Sequence, residues 1–229
     1  LVAWALGEVR GAHLITYPPG REPCRLDIRL DGWDNEPFMS PGVIFPGGWG
    51  NVPSGAPFCC PDPIGVSGPV CVNGSVPGIV IDPDDAVVLT FEHGKLTRWD
   101  GRPESPAYLF FSRQQDQARA RGDLDWNTFA ELGIGLNPAI TQLTGSSLFD
   151  EKVLGTVHIA IGDNSGFGHN VHSGIHADLI CTGPRLVVDG VDLVRDGQLF
   201  TEEFKTRREH LLAVADALPL GARVFVRPA

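Results

Sequence analysis

The run from His158 to Cys181, HIAIGDNSGFGHNVHSGIHADLIC, holds four histidines and two aspartates among apolar residues and glycines. In IHADLI, His176 and Asp178 are two residues apart, and in a strand that spacing puts both side chains on one face. An imidazole and a carboxylate side by side suit a shared metal ion. His158 lies in TVHIAIG, where Val157, Ile159 and Ile161 alternate against His158 and Ala160. A histidine on the small-residue side of a buried strand needs a polar partner. Glu131, in AELGIGLNP, is expected where a short helix meets a glycine turn, from which its carboxylate reaches towards the same point. Taken singly, each has a plainer role: a strand histidine is satisfied by a hydrogen bond, and a glutamate faces solvent. Together they read as a metal-binding constellation. His169 and His172, in the glycine loop between the two strands, read as solvent-facing.

These side chains must be positioned by short elements, because 28 glycines and 19 prolines punctuate the 229 residues. HLITYP, CRLDIRL, GPVCV, GIVI and AVVLTFEHGKLTRWDG read as strands and hairpins, so the first hundred residues look all-β. Ser105 is an expected N-cap with Pro106 at the first helical position, and the helix it opens runs to Gly122. Asp125 is expected to cap a shorter helix through WNTFAEL. VLGTVHIAIGD and IHADLIC return to strand character, and PRLVVDGVDLVRDGQL reads as a hairpin turning at Asp189-Gly190, with a second turn at Asp196-Gly197. From Thr201 to Leu218 an amphipathic helix is expected, with Phe204, Leu211, Leu212, Ala215 and Leu218 on one stripe, followed by a last strand, ARVFVR. The sequence therefore predicts an α+β, β-rich single domain. A metal-site domain spans 1–199, and a helix-strand extension spans 200–229.

Composition narrows the function. A net charge of −10 and no clustered Lys or Arg argue against a nucleic-acid backbone as partner. No apolar run approaches the roughly 20 residues of a membrane helix, and LVAWALGEVRGAH is too short and too soon charged for a secretory signal; a cytoplasmic setting is the expectation. The first residue is Leu, as in a processed or truncated piece of a longer chain. Five cysteines with no zinc-ribbon or CxxC spacing read as small buried thiols, and the tryptophans at 33, 49, 99 and 126 as packing.

Three blocks, AELGIGLNPAIT, GSSLFDEKVLGTVHIAIGDN and SGIHADLI, resemble the catalytic, carboxy-terminal half of the thermophilic leucyl aminopeptidase family, the metallopeptidases of the aminopeptidase T and S type. ITYPPGREPCRLDIRLDG and WGNVPSGAPFCCP are similar in placement to that family's upstream blocks, so the resemblance covers about residues 11–199. It implies a pair of divalent ions, zinc or cobalt, held by Glu131, His158, His176 and Asp178, with Glu151 as a less regular counterpart and Glu131 as a catalytic group. Two such ions polarise a peptide carbonyl and activate a shared water. The family's N-x-P-S-G-E glutamate is Ala56 here, which implies one ion rather than two. Typical members also carry a larger amino-terminal domain over the site, for which 229 residues leave no room, so a more open cleft is implied.

Proteins of this fold also include dihydroxypyridine dioxygenases with a single non-haem iron, for which His158, His176 and Asp178 would supply a 2-His-1-carboxylate set. They further include peptide-binding proteins of ribosomal-peptide natural-product pathways. A divergent metal-dependent peptidase is the leading expectation, with an iron oxygenase or peptide-tailoring enzyme and a non-catalytic peptide binder as alternatives. A peptide is the expected ligand, and a homodimer the expected assembly.

Overall fold

The computed structural model describes residues 2–7, 9–31, 37–39, 42, 46–47, 50–206 and 209. Along the chain come α1 (Val2–Gly7), β1 (Gly11–Thr16), β2 (Cys24–Arg29), β3 (Phe58–Cys59), β4 (Val66–Val72), β5 (Ser75–Val76), β6 (Ile79–Val80), β7 (Val87–Glu92) and β8 (Lys95–Asp100). They are followed by α2 (Pro106–Arg121), β9 (Phe129–Ile134), α3 (Ser147–Asp150), β10 (Val157–Gly162), β11 (His176–Cys181), β12 (Arg185–Val188), β13 (Val191–Arg195) and β14 (Gln198–Leu199). Among the described residues the strands form an eight-stranded sheet, β14-β13-β12-β1-β2-β4-β7-β8, and a six-stranded sheet, β3-β9-β10-β11-β5-β6. Every pairing of named strands is antiparallel.

Local chemistry explains most element ends. Ser105 accepts a hydrogen bond from the Tyr108 N–H at the start of α2, and Gly122 closes that helix in the left-handed region at φ 67°. The hairpins turn at His93-Gly94 and Asp189-Gly190, where both residues of each pair take positive φ. Asp189 also accepts from the backbone N–H groups of Arg10 and Gly11, which ties this turn to the start of β1. The alternation read in TVHIAIG holds. Val157, Ile159 and Ile161 join Leu132, Ile134 and Leu179 in one core with Leu14, Leu26, Val70 and Leu89 of the larger sheet. His158 and Ala160 are left on the other face of β10. All five cysteines are buried free thiols, and burial pushes the Cys71 thiol up to about 12.

Two expectations are corrected. Residues 126–132 do not form a helix: Glu131 lies inside β9, between Phe58-Cys59 on one side and β10 on the other. Asp125 is not a helix cap, because its carboxylate binds Lys95 Nζ at 2.8 Å, while the Phe129 N–H donates to the Gly94 carbonyl. Long-range pairing thus overrides the local helix signal. The first hundred residues are also not wholly β, since α1 buries Ala5 and Leu6 in the core.

Residues 202–206 are helical, and Phe204 is 1% exposed within the core. The expected stripe at Leu211, Leu212, Ala215 and Leu218, the final strand, Trp33 and Trp49 lie outside the described residues. Trp99 and Trp126 pack edge to face at 6.3 Å. Removing the Phe204 ring leaves a cavity where no side chain can collapse freely. Phe204→Ala is expected to lower stability by about 3–5 kcal/mol in urea unfolding; a loss under about 1 kcal/mol would show that this segment is not docked.

Candidate metal centre

The site is a consequence of strand register. Ala160, in the middle of β10, stands opposite Glu131 of β9 and opposite Asp178 of β11. Residues directly opposite one another in antiparallel strands point to the same face. Two carboxylates therefore flank a methyl group, and the short alanine leaves the space between them open. His158 is two residues along β10 on that face, and His176 two residues along β11, opposite Gly162.

His158 reaches Glu131 because position 133 has no side chain. Its partner across the β9–β10 ladder is Gly133, and a Cβ built there would fall 2.2 Å from His158 Nε2. The imidazole instead crosses the bare backbone and places Nε2 3.0 Å from Glu131 Oε1. From the solvent side, His176 Nε2 lies 3.5 Å from Glu131 Oε2 and 3.3 Å from Asp178 Oδ1. Ligands set at right angles around an ion at about 2.1 Å are about 3 Å apart, so these spacings suit donors of one centre. Among the described residues, Glu131, Glu151, His158 and Asp178 each offer a ligand atom, and those atoms lie within 4.8 Å of one another. Glu151 enters from the end of α3. His176 stays outside that inner group, at the rim, with its side chain 28% exposed.

Two buried polar atoms lack a well-formed hydrogen bond: Asp178 Oδ1, whose nearest cationic group is His176 Nε2 at 3.3 Å, and His158 Nδ1, across the ring from the Nε2 that faces Glu131. Buried carboxylate oxygens so weakly satisfied are costly, and a cation among Glu131, Glu151 and Asp178 would remove that cost. The donor set and these atoms fit a divalent metal.

Residues that the sequence reading passed over complete the site. Lys152, 1% exposed, bonds Glu151. Burial pulls its ammonium down to about 8, although Asp178 and Glu131 work to hold the proton on. The backbone carbonyl of Asp163 accepts from His176 Nδ1 at 2.6 Å, which aims Nε2 at the two carboxylates. Burial works against the charged His176 ring, but Asp178, Glu131 and this carbonyl outweigh it and raise its pKa to about 9. Burial also works to raise Asp178, yet the neighbouring His176, His158 and Lys152 hold it below the usual carboxylate range. The loop bearing Asp163 is stapled in turn: Asn164 bonds the Ala130 carbonyl and the Val171 N–H, and Asp123 accepts from Ser173 and Gly174. His172, in the same loop, is exposed, whereas His169 is half-buried with its ring edge towards Phe38 at 6.5 Å.

Ala56 is buried in the extended segment that leads into β3. The Ile134 N–H donates to Pro57 and the Leu136 N–H to Gly55, so Ala56 stands opposite Gly135, on the same face as Gly133 and Glu131. A methyl group occupies that edge of the site.

No protein-family model matches the chain, and no curated protein matches it. Among solved structures, it is similar to the 2,5-dihydroxypyridine dioxygenase of Pseudomonas putida KT2440, with a TM-score of 0.71 at 16% identity over 88% of this chain. It is also similar to wild-type AmpT of Thermus thermophilus, an aminopeptidase T, with a TM-score of 0.61 at 18% identity over 86%. The chain spans 58% and 51% of the lengths of those two proteins. The fold is thus similar to that of both proteins, an aminopeptidase T and a dioxygenase, with the higher TM-score to the dioxygenase.

Two predictions follow from this geometry. Gly133→Ala must push His158 off its path, and is expected to weaken divalent-metal binding at least about tenfold by calorimetry; unchanged affinity would mean that His158 is not a ligand. The second concerns pH in the metal-free protein. His176 stabilises the fold fully below pH 6.5, and that contribution is lost as pH rises towards about 9. Lys152 has the opposite sign, because the unfolded chain keeps its proton up to about 10.5 while the folded chain releases it near 8. The buried thiols outweigh this gain, because burial keeps Cys24, Cys60, Cys71 and Cys181 protonated in the folded chain while the unfolded chain releases their protons near 9, so urea unfolding should find stability falling from about pH 6.5 upward. His176→Gln should remove the part of the fall between about pH 6.5 and 8, below the range of the thiols, and a parent curve flat over that range would refute the assignment.

Proposed function

We propose that this chain is a metal-dependent hydrolase that works with one divalent ion, zinc or cobalt, on an amide bond of a peptide or peptide-like substrate. Charge balance carries the reading. Glu131, Glu151 and Asp178 bring three negative charges to one buried point, and Lys152 returns one positive charge. With both histidines neutral, two negative charges remain, the charge that one divalent ion cancels and two would exceed. Ala56 supports the same count, since its methyl group offers no ligand on the face where a further carboxylate would stand.

Glu131, Glu151, His158 and Asp178 would hold the ion, with His176 closing on it from the rim. When bound, a divalent ion there supplies the Lewis acidity that polarises the scissile carbonyl and acidifies a water. Glu131, between the two histidines, is placed to accept the water proton and return it to the leaving amine, so that the C–O bond forms as the C–N bond breaks and the proton is conserved. Lys152 restrains Glu151 and keeps the carboxylate cluster from repelling itself. The Asp163 carbonyl keeps His176 turned inward.

Similarity to the dioxygenase favours a second reading, in which one iron is held by His158, His176 and Asp178. The inner donor set weighs against it, because three carboxylates and one histidine are harder and more oxygen-rich than a facial triad of two histidines and one carboxylate. Elemental analysis, leucine anilide hydrolysis and oxygen uptake with 2,5-dihydroxypyridine separate the two. One zinc or cobalt per chain with anilide cleavage is expected, and Ala56→Glu should raise the count towards two. One iron with oxygen uptake would establish the second reading, and two ions in the parent would refute the charge argument.

A further inference from the structure

We propose that Phe38, Phe58 and Phe167 form the substrate subsite of this centre, a wall that takes a flat aromatic group on the ligand engaged by the metal. The inference rests on the metal-dependent reading above and adds the class of side chain that the site accepts. Phe38 and Phe58 stack at 5.0 Å with an interplanar angle of 13°, and Phe167 meets Phe58 edge to face at 4.9 Å. All three are only half-buried. Three clustered phenyl rings left partly open to water are an unusual use of apolar surface, since each ring gains by being covered.

The wall is continuous with the metal donors on two sides. Phe167 lies edge to face with the His176 ring at 5.8 Å. Phe58 stands opposite Gly133 in the β3–β9 pair, and its Cβ is 3.0 Å from the point over Gly133 that His158 Nε2 approaches to 2.2 Å. A ligand that reached the rim donor His176 would therefore lay its next group against these rings. Among the described residues, the rings that meet this cluster edge-on are the imidazoles of His169 and His176. Offset stacking and edge contacts favour a planar ring over a branched or charged group of similar size.

Each ring is held by backbone that its removal leaves in place. Phe38 and Phe58 exchange both backbone hydrogen bonds, at 2.7 and 3.1 Å, and Phe167 ends a short 3-10 turn closed by Gly168. Phe38 therefore reports on the wall without touching a metal donor.

The test uses two small chelators with the same metal-binding head, acetohydroxamate and benzohydroxamate, titrated by calorimetry into the zinc-loaded protein. Benzohydroxamate is expected to bind at least about tenfold tighter, as covering one phenyl ring implies. The ratio of the two affinities should fall to about twofold or less in Phe38→Ala and in Phe167→Leu, with zinc content measured for each variant. Equal affinities in the zinc-loaded parent, or a ratio unmoved in both variants, overturn the subsite and leave the metal reading standing. Ring-dependent binding of benzohydroxamate by a protein that holds no zinc overturns the metal reading and leaves the aromatic wall as a ligand site. A protein that takes up neither zinc nor benzohydroxamate refutes both.

Discussion

Three carboxylates brought to one buried point repel one another, and most of what surrounds them answers that repulsion. Glu131 and Asp178 are 2% and 6% exposed, in the middle of a sheet whose opposite face is packed in the core. Water cannot screen such charges, so the protein must supply cations of its own or recruit one. It does both in part. Lys152 is buried against Glu151, although burial itself works to strip its proton, and His176 leans in from the rim with a proton that it holds to about pH 9. Together they do not saturate the centre, since three carboxylates face one ammonium and one imidazolium and a negative charge remains. An arrangement so incompletely compensated is understandable as one half of a metal complex.

This view gives the proton on His176 a specific part. With the ion absent, the imidazolium supplies a positive charge beside Asp178 and Glu131. With the ion bound, that proton must leave, because the same Nε2 lone pair becomes a ligand. The exchange raises the local charge by one, from three carboxylates against an ammonium and an imidazolium to the same carboxylates against an ammonium and a divalent ion, so binding would complete the neutralisation at donors already in place. The anchors agree with this. The donors on β9, β10 and β11 are fixed by register, and the loop that aims His176 is held by Asn164 and Asp123 rather than left to solvent. Order of this kind keeps a site ready without the entropic cost of assembling it on binding.

Much of this was legible in the sequence. The period-two pattern of TVHIAIG and IHADLI already put His158, His176 and Asp178 on single faces, and the capping signals at Ser105 and Gly122 bounded α2 to the residue. What failed was Glu131, assigned to a helix end because Asp125 resembles an N-cap and the glycine after Leu132 a turn. Nothing local in WNTFAEL reveals that Lys95, some thirty residues earlier, takes the Asp125 carboxylate. Register was equally hidden: that Ala160 stands between Glu131 and Asp178 follows from pairing three strands, and no single strand encodes it. Gly133 read as a turn residue, whereas its use is to let a histidine cross the backbone. Lys152 was passed over because a lysine next to a glutamate ordinarily marks a solvated surface, and only burial turns that pair into part of the centre.

Two solved structures that share this fold bear names for different chemistries, one a dioxygenase and the other an aminopeptidase, at 16% and 18% identity. Backbone likeness at that distance speaks to architecture, and function has to be argued from the donors themselves. In this chain the candidate donors stand on one face of three central strands. Which reaction follows depends on how many negative charges point at it and what stands at its rim. Here a methyl group at position 56 and an ammonium at position 152 both lower the charge that further metal could neutralise, while the imidazole at 176 meets a phenyl ring instead of open water. On the one-ion reading, the first two features would limit the centre to a single cation, and the third would give it a neighbour that distinguishes ligands by shape, so that selectivity and metal count would come from opposite sides of the same cluster.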